Sequence, residues 1–168
     1  MGLECLHNIH KIVHKDLKPA NIVLDKDYNA KIIDFGLSED ISDTPSTRYG
    51  CTPYYSPPEF IQTVLMTENL CYTPKATYDI WSLGITISMM ESSEKTTSFL
   101  KEIMDIDDKK QMEKQTPINI KKRIEEFLQH RNDETHIDHV IYKCLAYDPQ
   151  ERATAKEILV LLEKVTRF

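Results

Sequence analysis

His14-Lys15-Asp16-Leu17-Lys18-Pro19-Ala20-Asn21 runs directly into Ile22-Val23-Leu24-Asp25, and Ala30-Lys31-Ile32-Ile33-Asp34-Phe35-Gly36 follows after the polar turn Lys26-Asp27-Tyr28-Asn29. The short apolar, β-branched runs on either side of that turn predict a small antiparallel hairpin. A hairpin in this register sets Asn21 at the start of one strand and Asp34 at the end of the other. A carboxamide and a carboxylate then converge on one edge of the sheet. Singly, Asp16, Asn21 and Asp34 suit any surface hairpin; their joint order and spacing is what needs explaining.

Residues 14–21 resemble the catalytic loop H-R-D-L-x-x-x-N of the eukaryotic protein kinases, and Asp34-Phe35-Gly36 resembles their D-F-G magnesium motif. Either alone is a weak signal; in order, at this separation, they are a strong one. Phosphoryl transfer asks the protein mainly for positioning and charge neutralisation, so few residues suffice. The resemblance implies that Asp16 orients the acceptor hydroxyl and takes its proton, and that Lys18 sets an ammonium near the γ-phosphate. It also implies ATP and Mg2+ as cofactors, with Asn21 and Asp34 as oxygen ligands to the metal and Val23 as the floor under the adenine.

Three later segments extend the resemblance. Gly50-Cys51-Thr52-Pro53-Tyr54-Tyr55-Ser56-Pro57-Pro58-Glu59 is similar to the end of a kinase activation segment, with Cys51 and Pro57 where glycine and alanine are usual. Tyr78-Asp79-Ile80-Trp81-Ser82-Leu83-Gly84 is similar to the start of the long central helix, whose aspartate fixes the catalytic-loop backbone. Lys143-Cys144-Leu145-Ala146-Tyr147-Asp148-Pro149-Gln150-Glu151-Arg152 resembles the last family signature, although Ala153 replaces the usual proline. Its arginine implies a buried pair of Arg152 with Glu59, and removing one partner of such a pair costs roughly 3–5 kcal/mol.

Lys18 within Asp-Leu-Lys-Pro-x-Asn, together with Thr52 as the expected bridge between Asp16 and Lys18, implies the serine/threonine class. Lys15 stands where arginine is common and lacks the planar fork that grips a phosphate. Thr47, and after it Ser46, are the candidate phosphorylation sites, where a phosphate is expected to approach Lys15 and Lys31.

The family's upper lobe, with its glycine-rich loop and ATP-binding lysine, has no counterpart here: the glycines are Gly2, Gly36, Gly50 and Gly84. Residues 1–12 read as the end of an amphipathic helix. The expected layout is a partial kinase domain over 1–168: catalytic loop 14–21, activation segment 34–59 and a helical remainder over 79–168. The expected fold is mainly α with a small β-hairpin (α+β), a kinase-like lower lobe without the upper one. His14, Phe35 and Val23 would then present an apolar top to an upper-lobe or scaffold partner.

Composition sets the outer bounds. A hydrophobic fraction of 40% with 29% charged residues is that of a soluble globular chain. The net charge of −6 argues against nucleic-acid partners, which need a basic surface. The apolar stretch Ile80–Met90 is too short and polar to cross a bilayer, so no membrane association is expected. Cys5, Cys51, Cys71 and Cys144 show no C-x-x-C spacing, which suits reduced thiols in the cytoplasm or nucleus. His7 and His10 belong to the opening helix rather than a metal site. The acidic run at 105–108 lacks the glycine and glutamate of a calcium loop.

After Trp81, apolar residues three or four apart predict four further helices. A looped insertion is expected between Glu59 and Asp79, and an exposed polar connection over 105–117. Two functions compete: a serine/threonine kinase fragment acting on protein substrates, and a catalytically inactive lobe used as a protein-binding module. The four residues Asp16, Lys18, Asn21 and Asp34 favour the first, since docking alone has no chemical need of them.

Overall fold

The computed structural model describes residues 2–42, 44–47, 50–66, 71–91, 93–104, 117–129 and 136–165. Helix α1 (Gly2–Glu4) continues as a π-helical stretch, Cys5–His10, which ends where Lys11 turns left-handed at φ 56°. Strand β1 (Ile12–Val13) then leads into the loop at 14–18 and a 3-10 turn, Pro19–Asn21. The anticipated hairpin is present. Strand β2 (Ile22–Leu24) pairs antiparallel with β3 (Ala30–Ile32), with Ile22 opposite Ile32 and Leu24 opposite Ala30. Its turn closes because the Asp25 carboxylate accepts the backbone N–H groups of Asp27 and Asn29, both at 2.9 Å.

Strand β4 (Glu39–Asp40) returns to pair with β1, Ile12 opposite Asp40 and Val13 opposite Glu39. Sequence pattern does not announce this ribbon, because two residues per strand are too few to show alternation.

Helix α2 (Pro58–Phe60) runs on as a π-helical segment, Ile61–Met66. The insertion expected as a loop between Glu59 and Asp79 is therefore helical at its start, because Phe60, Ile61 and Val64 are buried and pull that stretch onto the core. Beyond it, Tyr72 forms an antiparallel bridge with Ser46. The four helices expected after Trp81 are α4 (Ser93–Met104), α5 (Pro117–Gln129), α6 (His136–Cys144) and α7 (Ala155–Val165). The polar connection expected over 105–117 lies outside the described residues, apart from Pro117, which opens α5. Helix α7 starts with a capping box: the Thr154 N–H donates to Glu157 at 2.7 Å and the Glu157 N–H to the Thr154 hydroxyl at 3.2 Å.

Helix α3 (Ala76–Glu91) is the axis of the molecule, packed against α4, α6 and β1. Ile80, Trp81 and Ile85 from α3 meet Val140, Ile141, Cys144 and Leu145 in one core that also holds Leu17. Gly84 lets α3 and α6 approach closely, since a Cβ there would lie 2.6 Å from the Cys144 Cβ. A smaller cluster of Val13, Phe60, Val64 and Tyr78 lies beneath the start of α3.

Candidate active site

The site hangs from one carboxylate. Asp79 is fully buried in the first turn of α3 and accepts the backbone N–H of His14 at 2.8 Å and of Lys15 at 2.9 Å. Its second partner set is completed by the His7 imidazole, whose Nε2 lies 2.8 Å from Asp79 Oδ2. Sequence spacing marks His7 only as a helix residue. The missed signal was its place beside Leu3 and Leu6, on the i, i+3, i+4 face that packs inward.

Lys15, at φ 65°, occupies a left-handed conformation that costs a non-glycine residue about 1–2 kcal/mol. The Asp79 bonds on either side of this peptide hold it there. The His14 ring is buried, its Nε2 3.0 Å from the carbonyl oxygen of Ile33 and its Nδ1 accepting the Asp16 N–H at 3.3 Å. These contacts select the Nε2–H tautomer. The same ring meets Phe35 edge-on at 5.0 Å, so the His14–Asn21 loop and the Asp-Phe-Gly turn are in direct contact.

Around Asp16 the expected residues do come together. Thr52 donates its hydroxyl to Asp16 Oδ1 at 2.5 Å, and Lys18 Nζ lies 2.8 Å both from Asp16 Oδ2 and from Thr52 Oγ1. The bridge inferred for Thr52 is thus in place. The Asn21 amide nitrogen donates to the Asp16 carbonyl at 2.8 Å and to its Oδ2 at 2.9 Å. Burial alone would raise the Asp16 pKa, but hydrogen bonds from Lys18, Thr52 and Asn21, with the Lys18 charge, together hold it below the usual carboxylate value.

The backbones flanking Asn21 and Asp34 are tied at the sheet edge, since the Ile33 N–H donates to the Asn21 carbonyl at 3.0 Å. Asp34 is exposed, left-handed at φ 63°, and accepts the Gly36 N–H at 3.2 Å. An amide oxygen and an accessible carboxylate form an all-oxygen donor set, which fits magnesium shared with phosphates. Val23 is 41% exposed on the adjoining strand, and Phe35 47%.

Arg152 forms a two-pronged pair with Glu59, both N···O distances 2.7 Å, and also donates to the carbonyls of Ala146 and Thr77. Its guanidinium lies 5.1 Å from the Trp81 ring centroid. Ser56 and Ser82 fasten the same segment, through the Tyr78 hydroxyl at 2.7 Å and the Tyr55 carbonyl at 2.7 Å respectively.

The two candidate phosphorylation sites differ in their surroundings. Thr47 is exposed, whereas Ser46 is tied by its backbone to Tyr72. Lys15 and Lys31 do not form an open basic pair. Lys15 is buried and bonded to Glu39, while Lys31 lies on β3, 3.5 Å from Asp25.

Residues 1–161 match the protein kinase domain family. Over 160 residues the chain is 36% identical to the serine/threonine-protein kinase dst2 of Dictyostelium discoideum, covering 94% of this chain and 13% of that protein. It is 36% identical to the serine/threonine-protein kinase cst-1 of Caenorhabditis elegans over 156 residues, 92% of this chain and 28% of that one. It is 30% identical to the serine/threonine-protein kinase KIC1 of Saccharomyces cerevisiae over 161 residues, 95% and 13% of the two chains. The chain thus spans between 13% and 28% of the length of these relatives. With the motif residues assembled around Asp16 and the family match running through nearly every element, this chain belongs to the protein kinase domain family.

Proposed function

We propose that the chain is the lower, catalytic lobe of a serine/threonine protein kinase that transfers the γ-phosphoryl group of ATP to hydroxyls of protein substrates. The observation that carries this reading is the ring of donors around Asp16. Thr52, Lys18 and Asn21 keep its carboxylate ionised and aimed, the state needed to orient a serine or threonine hydroxyl and accept its proton. Lys18, within reach of both Asp16 and Thr52, supplies positive charge next to the transferred group. Asn21 and Asp34 are the residues that would hold magnesium, which neutralises phosphate charge when bound. Val23 would floor the adenine. The layout proposed for the chain is a catalytic loop at 14–21, an activation segment at 34–59 and a helical remainder from 79. The absence of C-x-x-C spacing supports a cytoplasmic or nuclear setting.

The test is phosphoryl transfer to a serine- or threonine-containing protein, with ATP titrated at fixed magnesium and the chain supplied with the upper lobe of a relative. Asp16→Asn is expected to abolish turnover while leaving ATP binding nearly intact. Asp34→Asn is expected to weaken the magnesium-dependent part of binding. Undiminished transfer by Asp16→Asn overturns the assignment.

One observation favours a second reading, a protein-binding lobe without catalysis. Val23, Leu24, Ile33 and Phe35 are all exposed apolar residues on the hairpin and the turn after it. Such a surface suits a protein cover, either an upper lobe or a scaffold. Transfer by the chain joined to an upper lobe separates the cases, and calorimetry tests the need for that lobe: the chain alone is expected to bind magnesium-ATP poorly, and low-micromolar binding by the monomer would mean that no upper lobe is needed.

A further inference from the structure

Lys15 precedes the proposed catalytic aspartate, is 2% exposed and carries a left-handed backbone. A buried ammonium needs a counter-charge, because an unpaired one is strongly disfavoured away from water. Here that charge comes from Glu39, whose Oε1 meets Lys15 Nζ directly and whose side chain is itself only 10% exposed. The partner is fixed by the fold rather than by chance rotamers. Glu39 lies on β4 opposite Val13, two residues before Lys15, and the Ile41 N–H donates to the Lys11 carbonyl at 2.7 Å just beyond the ribbon.

The surroundings are unsuited to a phosphate. The groove along this ribbon is lined by Glu39, Asp40, Ser42, Thr44 and Ser46, so two acidic residues share it with three hydroxyl-bearing ones. A phosphate there would meet like charge, and would have to displace Glu39 from Lys15 before gaining anything.

We infer that Glu39 is a positioning residue for Asp16: it is a built-in counter-ion that holds Lys15, and with it the strained catalytic loop, so that the loop is set without a phosphate on the downstream segment. The part of this that concerns turnover rests on the phosphoryl-transfer reading above; the part that concerns the loop does not. Two anchors act on one residue. Asp79 holds the Lys15 backbone and Glu39 its side chain, and Asp16 is next in sequence, its N–H bonded to the His14 ring.

The first arm of the test is residue-resolved amide hydrogen exchange on the 168-residue chain after phosphatase treatment. The Lys15 and Asp16 amides are expected to be protected in the wild type. Glu39→Gln should lower that protection by at least about tenfold relative to amides of α6. Should Glu39→Gln unfold the whole chain, Lys15→Met combined with Glu39→Gln leaves no orphan charge and is expected to lose less than the two single changes summed. Fast exchange at both amides in the dephosphorylated wild type, unchanged protection in Glu39→Gln, or strict additivity in the pair would each overturn the inference.

The second arm is the transfer assay described above. Dephosphorylation is expected to leave turnover unchanged within about twofold, and Glu39→Gln to lower kcat about tenfold at unaltered KM for ATP. If dephosphorylation abolishes transfer, the inference fails and the kinase reading stands. If no form of the protein transfers phosphate, the kinase reading fails and the exchange arm alone decides whether Glu39 sets the loop.

Discussion

The loop at 14–18 and the hairpin that follows it invert the usual rule of burial. From Val13 to Leu17 every residue is buried, including His14, Lys15 and Asp16, whereas on the hairpin Val23, Leu24 and Ile33 stand exposed, as does Phe35 beyond it. Buried polar groups and exposed apolar patches are the informative departures in any fold. Here they separate what the chain supplies itself from what its surface invites. The polar loop is satisfied internally, by Asp79, His7, Glu39, Thr52 and Asn21. The exposed apolar residues of the hairpin, Val23 and Leu24 on opposite sides of one strand and Ile33 just beyond the other, have no comparable set of partners among the described residues.

This contrast makes unequal demands on stability. The largest loss is expected for Asp79→Ala, which removes the acceptor for two backbone amides and one imidazole at a fully buried site. Denaturant melts should show about 4 kcal/mol, as expected when several buried donors are orphaned together. A loss under about 1 kcal/mol would mean that the loop is held elsewhere. Next comes the structural ion pair: Arg152→Ala and Glu59→Ala should each cost about 3 kcal/mol, and the double variant less than their sum, because each single change strands a charge. Strict additivity would place the two side chains apart and weaken this architecture.

A smaller effect is expected for Gly84→Ala. The new Cβ meets Cys144 and Leu145 at 2.6 and 2.7 Å, so α3 and α6 must separate slightly, at about 1–3 kcal/mol by the same melts. At the bottom of the series, Leu24→Ser on the 63%-exposed hairpin position should change stability by no more than about 0.5 kcal/mol. A large loss there would show that the hairpin face is already packed.

The Asp16 carboxyl gives the contrast a pH dependence. Its folded pKa is depressed below the unfolded value, so the stabilisation it contributes is complete above the unfolded carboxylate pKa of 3.8 and is lost as pH falls through the folded one. Acid titration of the wild type against Asp16→Asn should therefore show the difference in stability shrinking below about pH 4 and constant above it.

How much of this was open to sequence reading differs by element. The β2–β3 hairpin was legible because both strands are β-branched and their turn carries Asp25 and Asn29, whose side chains close it locally. The helices after Trp81 were legible from apolar spacing alone. The motif residues around Asp16 came from resemblance, which fixes identities and order but not distances; that Thr52 and Asn21 both reach Asp16 needed the fold. Glu39 was hidden because β1 and β4 are two residues long, too short for any period to show, and its partner lies 24 positions earlier. The stretch after Glu59 reads as a loop but starts as a helix because Phe60 and Val64 join a core with Tyr78 and Ile61 joins the main core, tertiary contacts that no local pattern reveals. That Lys15 is paired with Glu39 and Lys31 with Asp25 was hidden for a related reason: formal charge in a sequence says nothing about which cations already have a counter-charge.

In the proposed reaction Asp16 is the group that orients and deprotonates the acceptor. Phosphoryl transfer from ATP to a serine-containing protein, measured at saturating magnesium with the chain joined to an upper lobe, tests that role directly. Asp16→Asn is expected to lower kcat by about 10²–10⁴-fold with KM for ATP changed little. A kcat equal to that of the wild type would contradict it.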